Sequence, residues 1–278
     1  MRWPRLIFGC GYLGRRVAKA WQAQGHPVVA LTRGNAETLH QLDIEPICGD
    51  VLDPPSLQKL PRASTVLYAV GLDRSAGHSM RDVYVRGLAH VLETLPKPER
   101  FIYISSTSVY GQTDGSWVDE TSPTEPRESS GQVVLEAEQL VRCQHPDAII
   151  LRLAGIYGPH RLLRQQAIVR SEPLVGDAEK WLNLIHVDDA VQAVLVAEQN
   201  AQPGQFFNVA DGTPVTRREF YTYLGLLLHS PARFEDHPEP GTANRRIDTT
   251  RLRALGWQPR YPSYREGLVQ AVAESQVS

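Results

Sequence analysis

A glycine-rich turn between an apolar strand and an amphipathic helix constrains the fold of this chain more than any other feature. The strand pattern covers Arg5–Phe8, and residues 9–14 read Gly-Cys-Gly-Tyr-Leu-Gly, a G-x-G-x-x-G. In this context Gly9 allows a tight turn, Gly11 leaves room for a dinucleotide diphosphate, and Gly14 lets the helix pack closely on the strand. The first N–H groups of the helix then point at the phosphates. The alternative is a purely structural glycine turn, but the flanking strand and helix favour a dinucleotide site.

Short apolar runs alternate with helical patterns through the first half of the chain. The runs are continuous rather than alternating in polarity, as expected for strands that are covered on both faces. This strand–helix repetition predicts an α/β fold with a doubly wound parallel sheet, a Rossmann fold. The predicted strands are Arg5–Phe8, Val28–Thr32, Glu45–Cys48, Thr65–Val70, Phe101–Ser105 and Ala148–Leu153, with helices such as Leu13–Gln24 and Arg81–Leu95 between them.

The pattern changes after about Gly158. We therefore expect an NAD(P)-binding Rossmann domain over residues 1–158. A small C-terminal α/β lobe over residues 159–278 is expected to bind substrate and to be interleaved with the first domain in one compact unit. Its predicted elements are helices over His160–Val169, Asp188–Gln199, Thr216–Leu228, Asp248–Leu255 and Tyr264–Ala273, strands over Asn183–Val187 and Phe206–Val209, and a loop over His229–Thr242.

Composition excludes several classes of partner. The formal net charge is −2 over 278 residues, and no basic run argues for nucleic acid or a membrane surface. No stretch reaches the roughly 18 apolar residues that a membrane span needs. The three cysteines are odd in number and lack metal-ligand spacing, so we expect a reduced, cytoplasmic protein with no metal site.

The end of the second strand bears on the choice of dinucleotide. NAD-binding proteins place Asp or Glu there to accept a hydrogen bond from the ribose 2′-hydroxyl. This chain has Thr32-Arg33-Gly34-Asn35, with no acid before Glu37. Because an arginine pairs well with phosphate oxygens, Arg33 favours NADP(H), with NAD(H) as the alternative. Arg33 could also be an ordinary solvated side chain.

Three further stretches resemble the extended short-chain dehydrogenase/reductase family, the NAD-dependent epimerase/dehydratase group. They are Cys48–Asp53, Ile104–Gly111 and Leu151–Pro159. The resemblance implies that Asp50 bonds the adenine amino group, that Ser106 orients the substrate, and that the third stretch lines the nicotinamide. The alternative is that Asp50 caps a helix and that the serines satisfy local backbone groups.

The turn, the second strand and the resemblance together define a set of expected cofactor contacts. All of them lie at or just after the carboxyl ends of predicted strands. The set is Gly9, Gly11, Tyr12, Leu13, Gly14, Thr32, Arg33, Asp50, Val51, Ala69, Val70, Gly71, Ser105, Leu153, Ala154 and Gly155.

The catalytic signature of the family is missing. Its Tyr-x-x-x-Lys pair falls on Ser130 and Val134, and no Tyr or Lys occurs between Gly111 and Tyr157. A serine hydroxyl is a far poorer acid than an activated tyrosine, and valine carries no charge. The family's Asn on the preceding helix falls on Tyr84. The chain therefore resembles an atypical branch of the family.

Two functions and a weaker third option remain open at this point. One is an NADP(H)-dependent oxidoreductase or epimerase for a small carbonyl substrate, with Tyr84 or Tyr110 as a relocated acid beside Ser106. For Tyr84, core packing is the competing explanation. The other is an inactive NADP(H)-binding redox sensor or regulatory protein, and a relic that binds no cofactor is a weaker third option. Helices near Arg81–Leu95 and Gln132–Cys143 could also form a homodimer interface.

Overall fold

A computed structural model describes residues 3–238 and 241–276. Numbered along the chain, its strands are β1 Arg5–Phe8, β2 Val28–Thr32, β3 Glu45–Cys48, β4 Thr65–Tyr68, β5 Arg100–Ser106, β6 Trp117–Val118, β7 Ile149–Leu153, β8 Gly155–Tyr157, β9 Pro173–Val175, β10 Trp181–Leu182, β11 Leu184–His186, β12 Phe206–Val209, β13 Val215–Thr216, β14 Arg233–Glu235 and β15 Arg246–Ile247.

The α-helices follow the strands in alternation through the first half. They are α1 Gly14–Ala23, α2 Ala36–His40, α3 Gly87–Thr94, α4 Ser129–Gln144, α5 Gln165–Val169, α6 Val187–Asn200, α7 Arg217–Leu227, α8 Thr250–Arg253 and α9 Tyr264–Gln276. A π-helical segment, Asp82–Arg86, leads directly into α3. No helix in the described ranges is long and apolar enough to cross a membrane.

The main sheet has seven parallel strands in the order β12-β7-β5-β4-β1-β2-β3. The predicted doubly wound parallel sheet is therefore confirmed. Its central strands are buried on both faces: Leu6, Ile7 and Phe8 are all inaccessible to solvent. This double burial explains why the strands appear in the sequence as continuous apolar runs.

The register of the sheet brings the ends of its central strands together. Phe8 at the end of β1 pairs with Leu31 of β2 on one side and with Tyr68 of β4 on the other. Since the strands are parallel, the segments that follow them leave the sheet at the same edge. Ligands of open α/β sheets bind at this carboxyl edge.

The chain divides into two compact units whose segments interleave. The first comprises the described residues up to Ser106, together with Ser129–Arg152 and Val194–Phe206. The second comprises Thr107–Glu128, Leu153–Ala193 and the described residues from Phe207 onward. The domain boundary expected at residue 158 stays a prediction.

The C-terminal half departs from its predicted elements in three places. The helix predicted over His160–Val169 is wrong at its start: His160 and Arg164 have φ of 61° and 58°, so only α5 is helical. These left-handed positions cannot continue a right-handed helix. The loop predicted from residue 229 to 242, of which residues 239–240 lie outside the described ranges, contains β14. The helix predicted over residues 248–255 shortens to α8, because the carboxylate of Asp248 accepts the Thr250 N–H and starts the helix later.

Asp211, in the second unit, is a buried carboxyl group without full hydrogen bonding. Its exposed fraction is 1%. Oδ1 accepts the Thr213 N–H at 2.8 Å, whereas Oδ2 has no hydrogen-bond partner among the described residues. Burial raises the pKa of Asp211 from 3.8 to about 7, with the Thr213 bond opposing the rise. The negative charge of Asp189 also raises this pKa, and Arg253 lowers it.

We predict that Asp211 makes stability fall as the pH rises from about 4 to about 7. The folded state holds the Asp211 proton more tightly than the unfolded chain does. The protonated carboxyl therefore stabilises the fold fully below the pKa of the unfolded chain, and this stabilisation is lost as the pH rises through the pKa of the folded state. Between pH 5 and pH 8 the melting temperature should drop less for Asp211→Asn than for wild type. Each kcal/mol of unfolding free energy that wild type loses through Asp211 corresponds to about 2–4 °C of this difference. Asp147→Asn, at an exposed carboxyl, is the control. Equal drops in wild type and Asp211→Asn would contradict the prediction.

Candidate functional site

The turn after β1 is held by two close backbone approaches. Gly9 has φ +86°, and a Cβ built there would lie 2.3 Å from the carbonyl oxygen of Ala69. A Cβ on Gly14 would lie 2.5 Å from the carbonyl oxygen of Gly9. Both contacts are far below van der Waals distance, so only glycine fits at these positions. Gly11, between them, is exposed and would have no heavy atom within 4 Å of its Cβ.

The open space at Gly11 lies beside the start of α1. The Gly11 N–H donates to the Gly9 carbonyl at 2.8 Å, and the Arg15 N–H donates to the Gly11 carbonyl at 3.0 Å. No side chain caps α1. A helix start whose first N–H groups lack a side-chain cap attracts anions, so the turn fits a dinucleotide diphosphate.

Two arginines flank this turn. The Arg15 Nε donates to the Cys10 carbonyl at 3.3 Å. The Arg16 guanidinium lies 4.2 Å from the ring centroid of Tyr12 and donates to the Tyr12 carbonyl at 2.9 Å. These contacts place Tyr12 against α1 and add positive charge next to the proposed phosphate position. Leu13, at the helix start, is buried.

The segment after β2 presents Arg33 to solvent. The Thr32 hydroxyl oxygen accepts the Asn35 N–H at 3.0 Å and so fixes the turn that carries Arg33. The guanidinium of Arg33 forms an ion pair with Asp73, with Nη2 and Oδ2 3.1 Å apart. Asp73 follows β4 and was not among the residues expected in the site.

Asp50 caps the turn that follows β3. Its Oδ1 accepts the Leu52 N–H at 2.9 Å, and its own N–H donates to Ser56 Oγ at 2.9 Å. Asp50 therefore caps a turn rather than a helix, since Asp53 precedes the helical turn that follows. The adenine contact stays a prediction. Val51 is buried against Gly87, where a Cβ would lie 2.7 Å from a Val51 methyl carbon.

The end of β5 is tied to α4 by a buried ionic network. The Ser105 hydroxyl donates to Glu138, and Glu138 pairs with Arg152 through Nε at 2.9 Å and Nη2 at 2.7 Å. All three side chains are buried. The Ser105 side chain thus serves the interior of the first unit, while Ser106 is half-buried at the end of the strand.

Tyr84 lies in the π-helical segment before α3. Its hydroxyl oxygen accepts the Leu72 N–H at 3.2 Å, which places it beside the chain that leaves β4. The same segment packs against α4, the helix that carries Ser130 and Val134. Single π-helical turns occur often at functional sites. Tyr84 is half-buried, so it packs against the core but is not enclosed by it.

Other expected site residues belong to the second unit. The Tyr110 hydroxyl is buried and donates to Asn208 Oδ1 at 2.8 Å, and Glu120 in turn accepts the Asn208 N–H at 2.7 Å. The Ala154 N–H donates to the Val209 carbonyl at 2.9 Å. Of the two residues next to Ala154, Leu153 is buried and Gly155 is exposed.

Three partners were missed by sequence reasoning: Asp73 of Arg33, Leu72 of Tyr84, and Glu138 of Ser105. Each pair is separated by 12 to 40 residues along the chain. No spacing rule connects them, because the sheet register brings them together. Glu138 did carry a signal, since it follows Val134 by four residues and the family's helix has a glutamate at that spacing after its lysine.

We predict that Gly9→Ala and Gly14→Ala destabilise the apo protein while Gly11→Ala does not. A methyl group at position 9 meets the Ala69 carbonyl and adds left-handed strain, which together should cost more than about 2 kcal/mol. Position 11 has open space. Thermal unfolding of the three variants checks this, and an equal loss of stability at position 11 would contradict the geometry.

Comparisons with known proteins cover most of the chain. The model of the NAD dependent epimerase/dehydratase family matches residues 6–210. Protein YeeZ of Escherichia coli (strain K12) is 28% identical over 270 residues, covering 92% of this chain and 95% of YeeZ. UDP-glucose 4-epimerase of Mycolicibacterium smegmatis is 27% identical over 302 residues, covering 94% and 95%. The dTDP-glucose 4,6-dehydratase of Bacillus anthracis, solved in complex with NAD, is similar in fold, with a TM-score of 0.82 at 16% identity and coverage of 99% and 97%.

Proposed function

The chain belongs to the NAD-dependent epimerase/dehydratase family, and from this membership we propose that it binds NADP(H) and acts as an oxidoreductase or epimerase on a small carbonyl substrate. The glycine turn is the observation that carries the proposal. Gly9 and Gly14 are forced by the packing, whereas Gly11 leaves an open surface at an uncapped helix start. A dinucleotide bound there would supply a nicotinamide that gives or accepts hydride.

The chain's own residues fit the parts of such a cofactor. Gly11 and the first N–H groups of α1 would hold the diphosphate. The segments after β3 and β4, which include Asp50, Val51 and residues 69–71, would enclose the adenine. Arg33 would meet a 2′-phosphate, and the absence of an acid at the end of β2 supports NADP(H) over NAD(H).

Tyr84 is the proposed proton donor. The resemblance places the family's tyrosine and lysine at Ser130 and Val134, and Val134 is only 6% exposed. The Tyr84 hydroxyl uses its oxygen to accept the Leu72 N–H, which leaves the phenolic proton for donation. Ser106 would orient the substrate. Tyr110 is not the proposed donor, because its hydroxyl donates to Asn208 Oδ1.

A non-catalytic sensor is the second candidate. The observation that favours it is the buried valine on α4, which supplies no charge where the family's lysine stands. Such a protein would bind oxidised and reduced cofactor with different affinities and would turn over no substrate.

Cofactor binding is tested by fluorescence titration with NADPH. We expect saturable binding by wild type and a loss of at least about 100-fold in affinity for Gly11→Glu, because the carboxylate fills and charges the diphosphate position. Ala23→Glu adds the same side chain at the exposed far end of α1 and should bind like wild type. If Gly11→Glu retains wild-type affinity, the turn does not hold the diphosphate.

Turnover separates the two candidate functions. NADPH oxidation is measured against a panel of aldehydes and ketones, and Tyr84→Phe is expected to lower kcat by about 100-fold or more with an unchanged NADPH Kd. Tyr223→Phe, a tyrosine of the second unit, is the control. Wild-type turnover in Tyr84→Phe would exclude Tyr84 as the acid. Cofactor binding by wild type without turnover of any carbonyl would favour the sensor.

A further inference from the structure

We propose that Asp73 sets the cofactor preference of the site by competing with the 2′-phosphate of NADP(H) for Arg33. This inference rests on the proposed dinucleotide function and adds a residue that the glycine turn does not reveal. Asp73 and Arg33 are 40 residues apart in the sequence but form an ion pair in the fold.

The topology places this ion pair across the site. Arg33 follows β2, Asp73 follows β4, and β1 lies between these strands in the sheet. β1 ends in the glycine turn. The ion pair therefore joins the segments that follow the two neighbours of β1, at the carboxyl edge where the dinucleotide is proposed to bind.

Asp73 is held in an orientation that suits this role. Its Oδ1 accepts two bonds from Ser75, one from the N–H at 3.0 Å and one from the hydroxyl at 2.6 Å. This leaves Oδ2 for Arg33. The bonds from Ser75, and then Arg33, lower the pKa of Asp73, so the carboxylate stays ionised at neutral pH.

The ion pair is weak enough for a ligand to replace it. The side chains of Arg33 and Asp73 are 50% and 46% exposed, and such pairs contribute little to stability because water and salt screen them. A phosphate offers Arg33 more charge and a bidentate contact. The same phosphate is repelled by Asp73, whereas a neutral ribose 2′-hydroxyl can donate to it. Arg33 therefore favours NADP(H), and Asp73 favours NAD(H). The cofactor preference is the difference between the binding free energies of the two dinucleotides, to which both side chains contribute.

The test compares NADPH and NADH affinities of wild type, Asp73→Asn and Arg33→Ala/Asp73→Asn by fluorescence titration at low salt. Asp73→Asn should tighten NADPH binding about threefold to tenfold, weaken or preserve NADH binding, and reduce the salt dependence of the preference. The gain should disappear in the double variant, because the competitor matters only while Arg33 is present. Asp236→Asn is the control, since Asp236 forms a comparably exposed ion pair with Arg218 in the second unit.

Three results would overturn the proposal. One is unchanged affinity of Asp73→Asn for both dinucleotides. The second is an equal change for both, which would mark a general charge effect, and the third is an NADPH gain that persists without Arg33. If wild type and Asp73→Asn both bind neither dinucleotide, the proposed function fails as well, so the two failures are distinguishable.

Discussion

The close approach of backbone to backbone at Gly9 is the constraint on which the site depends. The Ala69 carbonyl lies where a side chain at position 9 would begin, so the chain must turn sharply as it leaves β1. That turn starts α1 close against the strand, with Gly14 in contact with the Gly9 carbonyl. The exposed surface at Gly11 and the uncapped helix start follow from this packing. The site is thus a by-product of how tightly the first strand and helix fit together.

Parallel register then decides which side chains surround the turn. Because β4, β1 and β2 are parallel and end within one residue of one another, the segments that carry Asp73 and Arg33 leave the sheet at the same edge, and the two side chains form an ion pair there. The same edge receives Tyr84, whose hydroxyl binds the Leu72 N–H. The carboxyl edge of the sheet therefore carries a positive charge at Arg33, a negative charge at Asp73 and the phenol of Tyr84. These groups come from segments that no local sequence pattern associates.

The sequence predicts the parallel sheet well because the strands are buried on both faces. Strands β1, β2, β3 and β12 begin and end at the predicted residues. Periodicity failed where the backbone conformation depends on individual residues: His160 and Arg164 are left-handed without being glycine. The π-helical segment around Tyr84 has the same apolar spacing as an α-helix would have, so the pattern could not distinguish them.

The candidate site was predictable where its chemistry is local. The glycine turn is contiguous, and Gly9 and Gly14 have the packing roles assigned from the spacing. Gly11 has open space at its Cβ position, and its contact with a diphosphate stays a prediction. The Arg33–Asp73 and Ser105–Glu138 contacts are long-range, and each occupies a hydrogen-bonding group that a cofactor could otherwise use. The Ser105 hydroxyl donates to the buried Glu138, and the Arg33 guanidinium is already paired with Asp73. The residue types at the strand ends do not reveal these partners, because the partners come from distant parts of the sequence.

The charge balance of α4 determines what kind of acid the site can contain. Val134, which the resemblance aligns with the family's lysine, is buried, and the buried carboxylate of the helix, Glu138, is already bound by Arg152. The inward face of α4 therefore brings no uncompensated positive charge to a neighbouring tyrosine. A tyrosine at position 130 would have no nearby positive charge from this helix to lower its pKa, so it would be a poor acid. A phenol whose oxygen accepts a backbone N–H, as that of Tyr84 does from Leu72, needs no lysine to stay in place. If Ser130 and Val134 stand at the family's tyrosine and lysine, their loss is one change rather than two, and the proposed reaction would depend on positioning of the substrate and on a neutral proton donor.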